Sequence, residues 1–579
     1  MTAPLTTDAP PARATGVVKR WGHTIALDGA TLTVGHGVTG LLGANGAGKT
    51  TLLGMLLGLH EPEEGSVEVL GLDPTTAGPQ VRARVGYAPE HHRLPDDLRA
   101  VDFVRHIAEV HGLPHREATG RASDALWAVG LGEERFRPLG TMSTGQRQRV
   151  KLAQAIAHDP VLLLLDEPTD GLDPVQRDVM LGLIRRVGTE FGIDVVLSSH
   201  LLEEVERICD SAIILRDGAV AAAGPLDALR GHGEGLVLEL EGDPSVVEDA
   251  LRLIKERGAE ILDDAARHFV TGGEHMTSIE SGDARILDRG YRRYDGPRLG
   301  IRSSSWRLTT YSMQRALGIR RPAWAKILPI LTVAMAYVPA IVFIGIVALI
   351  PDDVVGPNDP FRSSAMEAGF VALPTYGEYY GFVIAALVVF VAFVGPELLC
   401  PDRRSGMLGL YLASPLSRNS YLVAKAAAIG IVLALVTLGP PLLMLIAFVL
   451  QGSGPDGFLG FLSTLGSVVA AGLCLSAFYT SISLAVSSFT DRKAIASAGI
   501  ILLIFVSGAL VGGLVESGSS ESLVAFNLFR TPIELARVIH GEPTTDPGMT
   551  TAVWLGWAGW TAVGGLVTWW RYRRLQVTK

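Results

Sequence analysis

The sequence is poor in cysteine and in charged residues. Three cysteines, Cys209, Cys400 and Cys474, are spread over 579 residues, so they form neither a disulfide framework nor a cysteine-rich zinc site. Charged residues make up 19% of the chain, against about 25% in soluble domains, and this deficit indicates that part of the chain is embedded in a membrane. Lys and Arg (50) are outnumbered by Asp and Glu (59), which argues against a generally basic nucleic-acid-binding protein and predicts no nucleic-acid partner.

The N-terminus lacks the features of a secretory signal. Residues 1–15 are rich in Pro, Ala and Thr, with no basic start followed by an apolar run. We expect a disordered tail over residues 1–15 and an N-terminal domain that stays in the cytoplasm.

Residues 16–235 alternate short apolar runs with amphipathic stretches. This alternation predicts an α/β domain in which helices cover a sheet. The predicted strands are 38–42, 161–165, 194–198 and 212–215, and the predicted helices are 50–59, 144–158, 174–190 and 201–209. Residues 236–290 are predicted to form a small appendix and linker.

The second half contains six apolar stretches, each long enough to span a bilayer. They are roughly 327–350, 377–399, 421–450, 458–489, 494–515 and 552–570. A basic membrane-approach segment, 291–326, precedes them. If the chain crosses the membrane six times, each of the other basic connections lies on the same side of the membrane as the N-terminal domain. We therefore expect an integral plasma-membrane protein with an all-α six-helix transmembrane domain over 327–579 and both termini in the cytoplasm.

One connection, 516–551, is long and unusually apolar for a loop on the outer side. Two interpretations stay open: a short helix that lies in the outer membrane interface, or a loop that packs on the helix bundle.

A glycine-rich loop, Gly43-Ala44-Asn45-Gly46-Ala47-Gly48-Lys49-Thr50, follows an apolar strand and begins a helix. Glycines let backbone N–H groups surround phosphate oxygens, Lys49 reaches the β- and γ-phosphates, and the helix N-terminus adds a positive dipole end. The Thr50 hydroxyl is placed for Mg²⁺, with Thr51 beside it.

A second apolar strand ends in two carboxylates. Asp166 is predicted to hold Mg²⁺, and Glu167 to orient and polarise the attacking water. Between the two motifs, Ser143-Thr144-Gly145-Gln146 is typical of a capped helix start, which is itself an anion site.

Together these motifs resemble those of ATP-binding cassette (ABC) transporter ATPases, a family whose P-loop domain has an α/β fold. The resemblance implies that the signature, with Thr144 in place of a glycine, closes over the ATP held by a second subunit. It also implies that Trp21 stacks on adenine and that His200 contacts the γ-phosphate. Glu90 stands where the family usually has a glutamine that senses Mg²⁺ and contacts the permease, and Asp173 lies on a loop that crosses the dimer interface.

The implied cofactors are ATP and Mg²⁺. The implied catalytic residues are Glu167 and His200, and the implied metal ligands are Thr50, Glu90 and Asp166. The residues implied to bind nucleotide are Trp21, Gly43, Asn45, Gly46, Gly48, Lys49, Thr50, Thr51, Ser143, Gly145, Gln146 and Asp173.

Residues 291–298 and 402–418 resemble type-2 ABC permeases of the export kind. The resemblance implies an ATPase fused to one permease, a half-transporter of the export kind that contacts membrane lipid. The apolar stretches contain few acids or bases away from their ends, which fits a hydrophobic or amphipathic small molecule or lipid as the cargo. One chain supplies one phosphate loop and one signature that point to different sites, so two copies are needed, most simply as a homodimer. The alternative is an ABC ATPase-permease that transmits conformational change to a membrane or extracytoplasmic partner without translocating substrate.

The segment 401–425 combines Arg403 and Arg404 with an apolar series. This composition predicts a helix at the membrane surface, and the family resemblance implies that it docks in the ATPase groove beside Glu90. Charge complementarity allows Glu90 or nearby acids to face Arg403 or Arg404; the alternative is a helix that touches only lipid. His91 and His92 fit no motif and are expected to be solvated.

Overall fold

The computed structural model describes residues 9–91, 93–230, 293–319, 324–349, 375–542 and 547–575. The predicted appendix and linker at 236–290, most of the connection between the first two apolar stretches, the start of the predicted tail (1–8) and His92 lie outside these residues.

In the described part of the first half of the chain, nine strands form two sheets. One sheet has the order β5-β6-β7-β3-β8-β9 and is parallel except for the β8–β9 pair, and the other is antiparallel with the order β2-β1-β4. The central strands β3, β6 and β7 are almost wholly buried, which explains their continuous apolar runs. The strands are β1 (Ala12–Trp21), β2 (Thr24–Val34), β3 (Val38–Leu42), β4 (Glu64–Val69), β5 (Val85–Ala88), β6 (Leu162–Asp166), β7 (Asp194–Ser199), β8 (Ser211–Arg216) and β9 (Ala219–Pro225).

The prediction of a disordered tail is wrong for residues 12–15, which begin β1. Ala12 and Ala14 are buried, and Ala12 pairs with Val34 of β2 on one side and Val69 of β4 on the other. Small alternating residues suit the middle of a three-stranded sheet, but the same alanines are common in flexible tails, so composition alone misplaces this boundary.

Eight helices accompany these strands in the described part of the first half. The four predicted helices are present, with ends that differ by at most three residues from the predicted ones. Two begin with defined caps: Ser143 and Gln146 form a capping box, and Asp173 accepts a hydrogen bond from the backbone of Gln176. The helices are α1 (Lys49–Leu56), α2 (Gly78–Arg82), α3 (Ala100–Val110), α4 (His115–Ala128), α5 (Thr144–Ile156), α6 (Pro174–Thr189), α7 (Leu202–Ile208) and α8 (Leu226–Arg230).

The described part of the second half is helical. Five of its segments are long and apolar enough to cross a membrane: Ala325–Ala348, Tyr376–Arg404, Arg418–Leu450, Gly457–Ser487 and Lys493–Glu516. The helices are α9 (Ile301–Ala316), α10 (Trp324–Leu349), α11 (Tyr376–Arg404), α12 (Met407–Ala413), α13 (Arg418–Thr437), α14 (Gly439–Leu450), α15 (Gly457–Ser487), α16 (Lys493–Glu516), α17 (Thr531–Ile539) and α18 (Pro547–Arg574).

The sixth predicted span, 552–570, lies within α18, which is long but less apolar than the other five. α18 packs along α15. A Cβ at Gly564 would lie 2.8 Å from the backbone oxygen of Ser481, so glycine permits the close approach of these two helices.

The connection 516–551 contains a 3₁₀ turn at Glu521–Phe526 followed by α17. α17 packs against α11, α15 and α18, and Leu528, Leu535 and Ala536 are buried there. Of the two interpretations left open, packing on the bundle is the one that the structure shows.

A buried ion pair joins α11 and α13 to α9. The Lys425 ammonium lies 2.7 Å from the Asp402 carboxylate and also donates to the Ser312 hydroxyl of α9 at 3.0 Å. The Tyr421 hydroxyl donates to the same carboxylate at 2.9 Å. Both charges are almost fully buried, so each needs the other and its hydrogen-bond partners. The hydrogen bond to Ser312 therefore holds α9 against the bundle.

Candidate functional site: a phosphate loop facing two carboxylates

The phosphate loop joins β3 to α1. Gly48 has a φ of +105°, and a Cβ there would lie 2.3 Å from the carbonyl oxygen of Ala26, so the position requires glycine. Lys49 begins α1 and is buried, and its ammonium donates to the carbonyl oxygen of Gly43 at 2.5 Å. Asn45 and Gly46 are exposed. The loop therefore holds a buried cation behind an exposed turn.

Strand β6 ends beside this loop. The Asp166 carboxylate accepts hydrogen bonds from the Thr50 hydroxyl at 3.3 Å and the Ser198 hydroxyl at 2.8 Å. Burial raises the pKa of Asp166, the two hydrogen bonds oppose that rise, and the charges of Glu90 and Glu167 add to it. The acids are thus close enough to influence one another, and a cation would relieve their repulsion.

Glu167 lies between two basic groups. One carboxylate oxygen is 3.0 Å from the Lys49 ammonium, and the other accepts a hydrogen bond from Nδ1 of His200 at 2.9 Å. Its backbone has a φ of +45°, which is rare for a residue with a side chain, and its N–H donates to the Ser198 hydroxyl. The side chain is thus fixed at the end of β6, facing the loop.

The donors present fit Mg²⁺. The Thr50 and Asp166 oxygens, 3.3 Å apart, are near enough to occupy neighbouring positions around a hard cation. Within the described ranges no three His, Cys, Asp or Glu side chains converge on one point. This fits an ion that proteins usually hold through one or two side chains together with substrate phosphates and water. The carboxylate of Glu90 is exposed, and its backbone oxygen accepts a hydrogen bond from Lys151 at 3.2 Å.

The aromatic residue implied for adenine binding lies next to α1. Trp21 directs its indole N–H to the Thr51 hydroxyl at 3.4 Å and meets the His60 ring edge-on, with centroids 4.9 Å apart. The structure thus brings Trp21, the loop, both carboxylates and His200 together around the start of α1.

The signature residues lie elsewhere. Ser143 and Gln146 cap α5, and a Cβ at Gly145 would overlap the Gln176 side chain of α6. Asp173, which caps α6, is also there. Among the contacts of the described residues, none joins these residues to the phosphate loop of the same chain. The signature and the phosphate loop are therefore two separate regions of the described ATPase domain.

The predicted docking of 401–425 on the ATPase is confirmed in position. α12 packs against β5 and α3. Arg82 donates to the backbone oxygens of Ser414 at 2.7 Å and Leu416 at 3.4 Å, and burial lowers its pKa to about 10, so it stays charged at neutral pH. A buried hydrogen bond of 2.9 Å joins His106 of α3 to the Tyr411 hydroxyl of α12.

Two expectations about this contact are wrong. Arg403 donates to the backbone oxygen of Ser488 at 2.8 Å rather than facing an ATPase acid, and Arg404 is exposed. His91 is half-buried rather than freely solvated, because its ring lies directly against Gly406 at the start of α12. Ring contact with a glycine backbone leaves no pattern in the sequence.

Two family descriptions match the chain. Residues 27–170 match "ABC transporter", and residues 238–563, more than half of the chain, match "ABC-2 family transporter protein". The chain belongs to the ABC transporter family. It combines an ABC ATPase domain and an ABC-2 membrane domain in one polypeptide.

Curated relatives match the ATPase half. Nod factor export ATP-binding protein I of Burkholderia orbicola (strain AU 1054) is 32% identical over 301 residues, 52% of this chain and 96% of that protein. ABC transporter ATP-binding protein NatA of Bacillus subtilis (strain 168) is 35% identical over 35% of this chain and 83% of that protein. Methionine import ATP-binding protein MetN of Brucella abortus (strain 2308) is 33% identical over 38% of this chain and 62% of that protein.

Proposed function

We propose that this chain is a half-transporter, two copies of which use ATP hydrolysis to export a hydrophobic or amphipathic small molecule or lipid. Family membership supplies the coarser statement, an ABC ATPase with an ABC-2 permease. The main support for coupling between hydrolysis and transport is the docking of α12 on β5 and α3, because this contact joins the ATPase to the membrane half within one chain.

Two features support the direction and the type of cargo. A relative that matches over half of this chain is named for Nod factor export, although MetN, which matches less of it, is named for import. In the described apolar helices, Glu378 lies in the first turn of α11, and the other charged side chains of α11 and α13 lie towards the ends that meet α12. The absence of charges from the middle of these described segments disfavours an ion path and fits an apolar cargo.

The Lys49–Glu167 ion pair suggests the order in which ATP binding and activation of the attacking water take place. Without nucleotide, the ammonium neutralises the carboxylate that is proposed as general base. When Lys49 turns to the β- and γ-phosphates, Glu167 is released to accept a proton from the attacking water. His200 keeps the carboxylate oriented, and Mg²⁺, when bound by Thr50 and Asp166 with Glu90 nearby, offsets phosphate charge.

The separation of the signature from the phosphate loop supports a twofold dimer. A C2 arrangement lets the signature of each copy cover the phosphate loop of the other, which gives two equivalent ATP sites. With α18 as a sixth span, both chain ends lie on the cytoplasmic side with the ATPase. In this dimer the second copy contributes Ser143, Gly145, Gln146 and Asp173, while the first contributes Trp21, Gly43, Asn45, Gly46, Gly48, Lys49, Thr50 and Thr51.

Membrane vesicles test the proposed function. Inside-out vesicles that contain the protein should accumulate a fluorescent amphipathic dye or lipid analogue when ATP is added outside. Right-side-out vesicles should not, because their ATPase domains face the lumen. Hydrolysis without accumulation of any probe would favour the alternative in which conformational change is transmitted without translocation, and accumulation driven in the opposite sense would identify an importer.

Coupling should depend on the Tyr411 hydroxyl. Tyr411→Phe leaves the buried His106 imidazole without its partner, which costs about 1–3 kcal/mol at the contact. We expect transport to fall about tenfold while basal hydrolysis persists, measured on the same vesicles. Tyr380→Phe is the matched control, because it removes a buried hydroxyl hydrogen bond to Thr437 inside the bundle. Equal losses in the two variants would rule out a specific coupling role.

A further inference from the structure

A polar crevice of about 320 Å³ lies between the ATPase and the helix that leads into the membrane half. One wall is a face of α3 and the other a face of α9. Its principal side chains are Asp102, Arg105 and His106 from α3 and Arg307, Tyr311 and Arg315 from α9. The ATP site uses none of them.

The acids of the crevice are already paired. Asp97 lies 3.2 Å from Arg315, Asp102 lies 2.8 Å from Arg105, and Glu109 is in contact with His115. Counted over the lining residues that the structure describes, four arginines face three carboxylates, which leaves one positive charge in excess when the histidines are neutral. The lining charges are Arg99, Arg105, Arg307, Arg315, Asp97, Asp102 and Glu109.

Three donor groups in the lining lack an acceptor. Within the residues that the structure describes, the Arg307 guanidinium makes no ion pair or hydrogen bond, and neither does the Gln314 side-chain amide. The Nε–H of Arg315 is buried and unpartnered. A single excess positive charge with several free N–H donors matches a phosphodiester, which carries one negative charge and offers several acceptor oxygens.

The crevice is next to the membrane half. Just after α9, Gly318 lies against Ala325 at the start of α10, the first apolar helix, with an added Cβ only 2.8 Å from the Ala325 oxygen. Ile319 lines the crevice and is half-exposed, and Trp306 of α9 is 57% exposed. Exposed tryptophan and arginine just before a span are typical of the headgroup level.

We propose that this crevice binds the phosphate group of an anionic phospholipid of the cytoplasmic leaflet. The bound phosphate accepts hydrogen bonds from Arg307, Gln314 and Arg315, all of which lie on the α9 wall of the crevice. His106 and Tyr311, stacked at 3.7 Å in the same lining, continue to Tyr411 of α12. The proposed site therefore lies beside the contact between the two halves. This inference requires the membrane location but neither the direction of transport nor its cargo.

Arg307→Gln tests the site, and Arg302→Gln is the matched control, because Arg302 is exposed on the same helix and does not line the crevice. The readout is retention of phosphatidylglycerol by the purified full chain in native mass spectrometry. Loss of a charge-assisted contact should weaken binding about tenfold in Arg307→Gln and leave Arg302→Gln within about twofold of wild type. Equal retention in both variants, or equal loss, would overturn the proposal.

Two further arms complete the test. Gln314→Leu keeps the charge of the crevice and removes only the amide, so it should also weaken retention of the lipid. It tests the site independently if Arg307→Gln fails to fold, and unchanged retention in Gln314→Leu would contradict the site. Lys49-dependent ATP hydrolysis should persist in every variant, which separates this site from the ATP site. Inorganic phosphate and glycerol 3-phosphate should not displace the lipid at equal concentration. Displacement by either would assign the crevice to a soluble phosphate and overturn the lipid assignment.

Discussion

Glu167→Gln should slow ATP hydrolysis at least ~10²-fold while leaving ATP binding intact, the scale expected for loss of a general base. The amide keeps the size of the side chain and still offers an oxygen to His200, 2.9 Å away. It loses both the basicity and the charge that holds Lys49 at 3.0 Å. Because Lys49 no longer has to leave a carboxylate, ATP should bind at least as tightly as in the wild type.

The measurement is phosphate release at saturating ATP, together with the nucleotide dissociation constant. Glu203→Gln is the control, since this exposed carboxylate on α7 is not among the contacts of the loop or of β6. The ATP-bound variant should also accumulate as a closed dimer. Near-normal hydrolysis would show that another group activates the water.

The placement of the phosphate loop beside Asp166 and Glu167 could be predicted because both motifs are local in sequence. A run of buried leucines followed by Asp166 and Glu167 predicts a central strand that ends in two carboxylates. A glycine-rich loop before a helix specifies where Lys49 lies. Each of these features depends on fewer than ten consecutive residues, and parallel strands bring their carboxyl ends to one edge of the sheet.

The contact between the halves could be predicted only in outline. Arg82 and Ser414 are 332 residues apart and meet through a backbone oxygen, which every residue possesses. His106 resembles an ordinary core residue of an amphipathic helix until Tyr411 is placed beside it. The Arg403 prediction failed for the same reason: charge complementarity identifies allowed partners, whereas the packing of α11 on α15 decided which acceptor was near.

Two inactive variants should restore each other if the ATP sites are shared between copies. Lys49→Ala removes the phosphate-binding cation. Gly145→Asp adds a carboxylate to the signature, where an added Cβ already overlaps Gln176, and so repels phosphate. Alone, each variant has two defective sites in every dimer. In a mixed dimer, one site combines the intact loop of one copy with the intact signature of the other.

This complementation is the most direct test of the claim that one chain carries half of each ATP site. The two variants are co-expressed in equal amounts, purified as full chains and assayed for ATP hydrolysis in lipid nanodiscs. Random pairing makes half of the dimers mixed, each with one intact site, so hydrolysis should rise from background to about a quarter of the wild-type rate. A mixture as inactive as either variant alone would contradict shared sites, and full activity of either variant alone would contradict its assigned role.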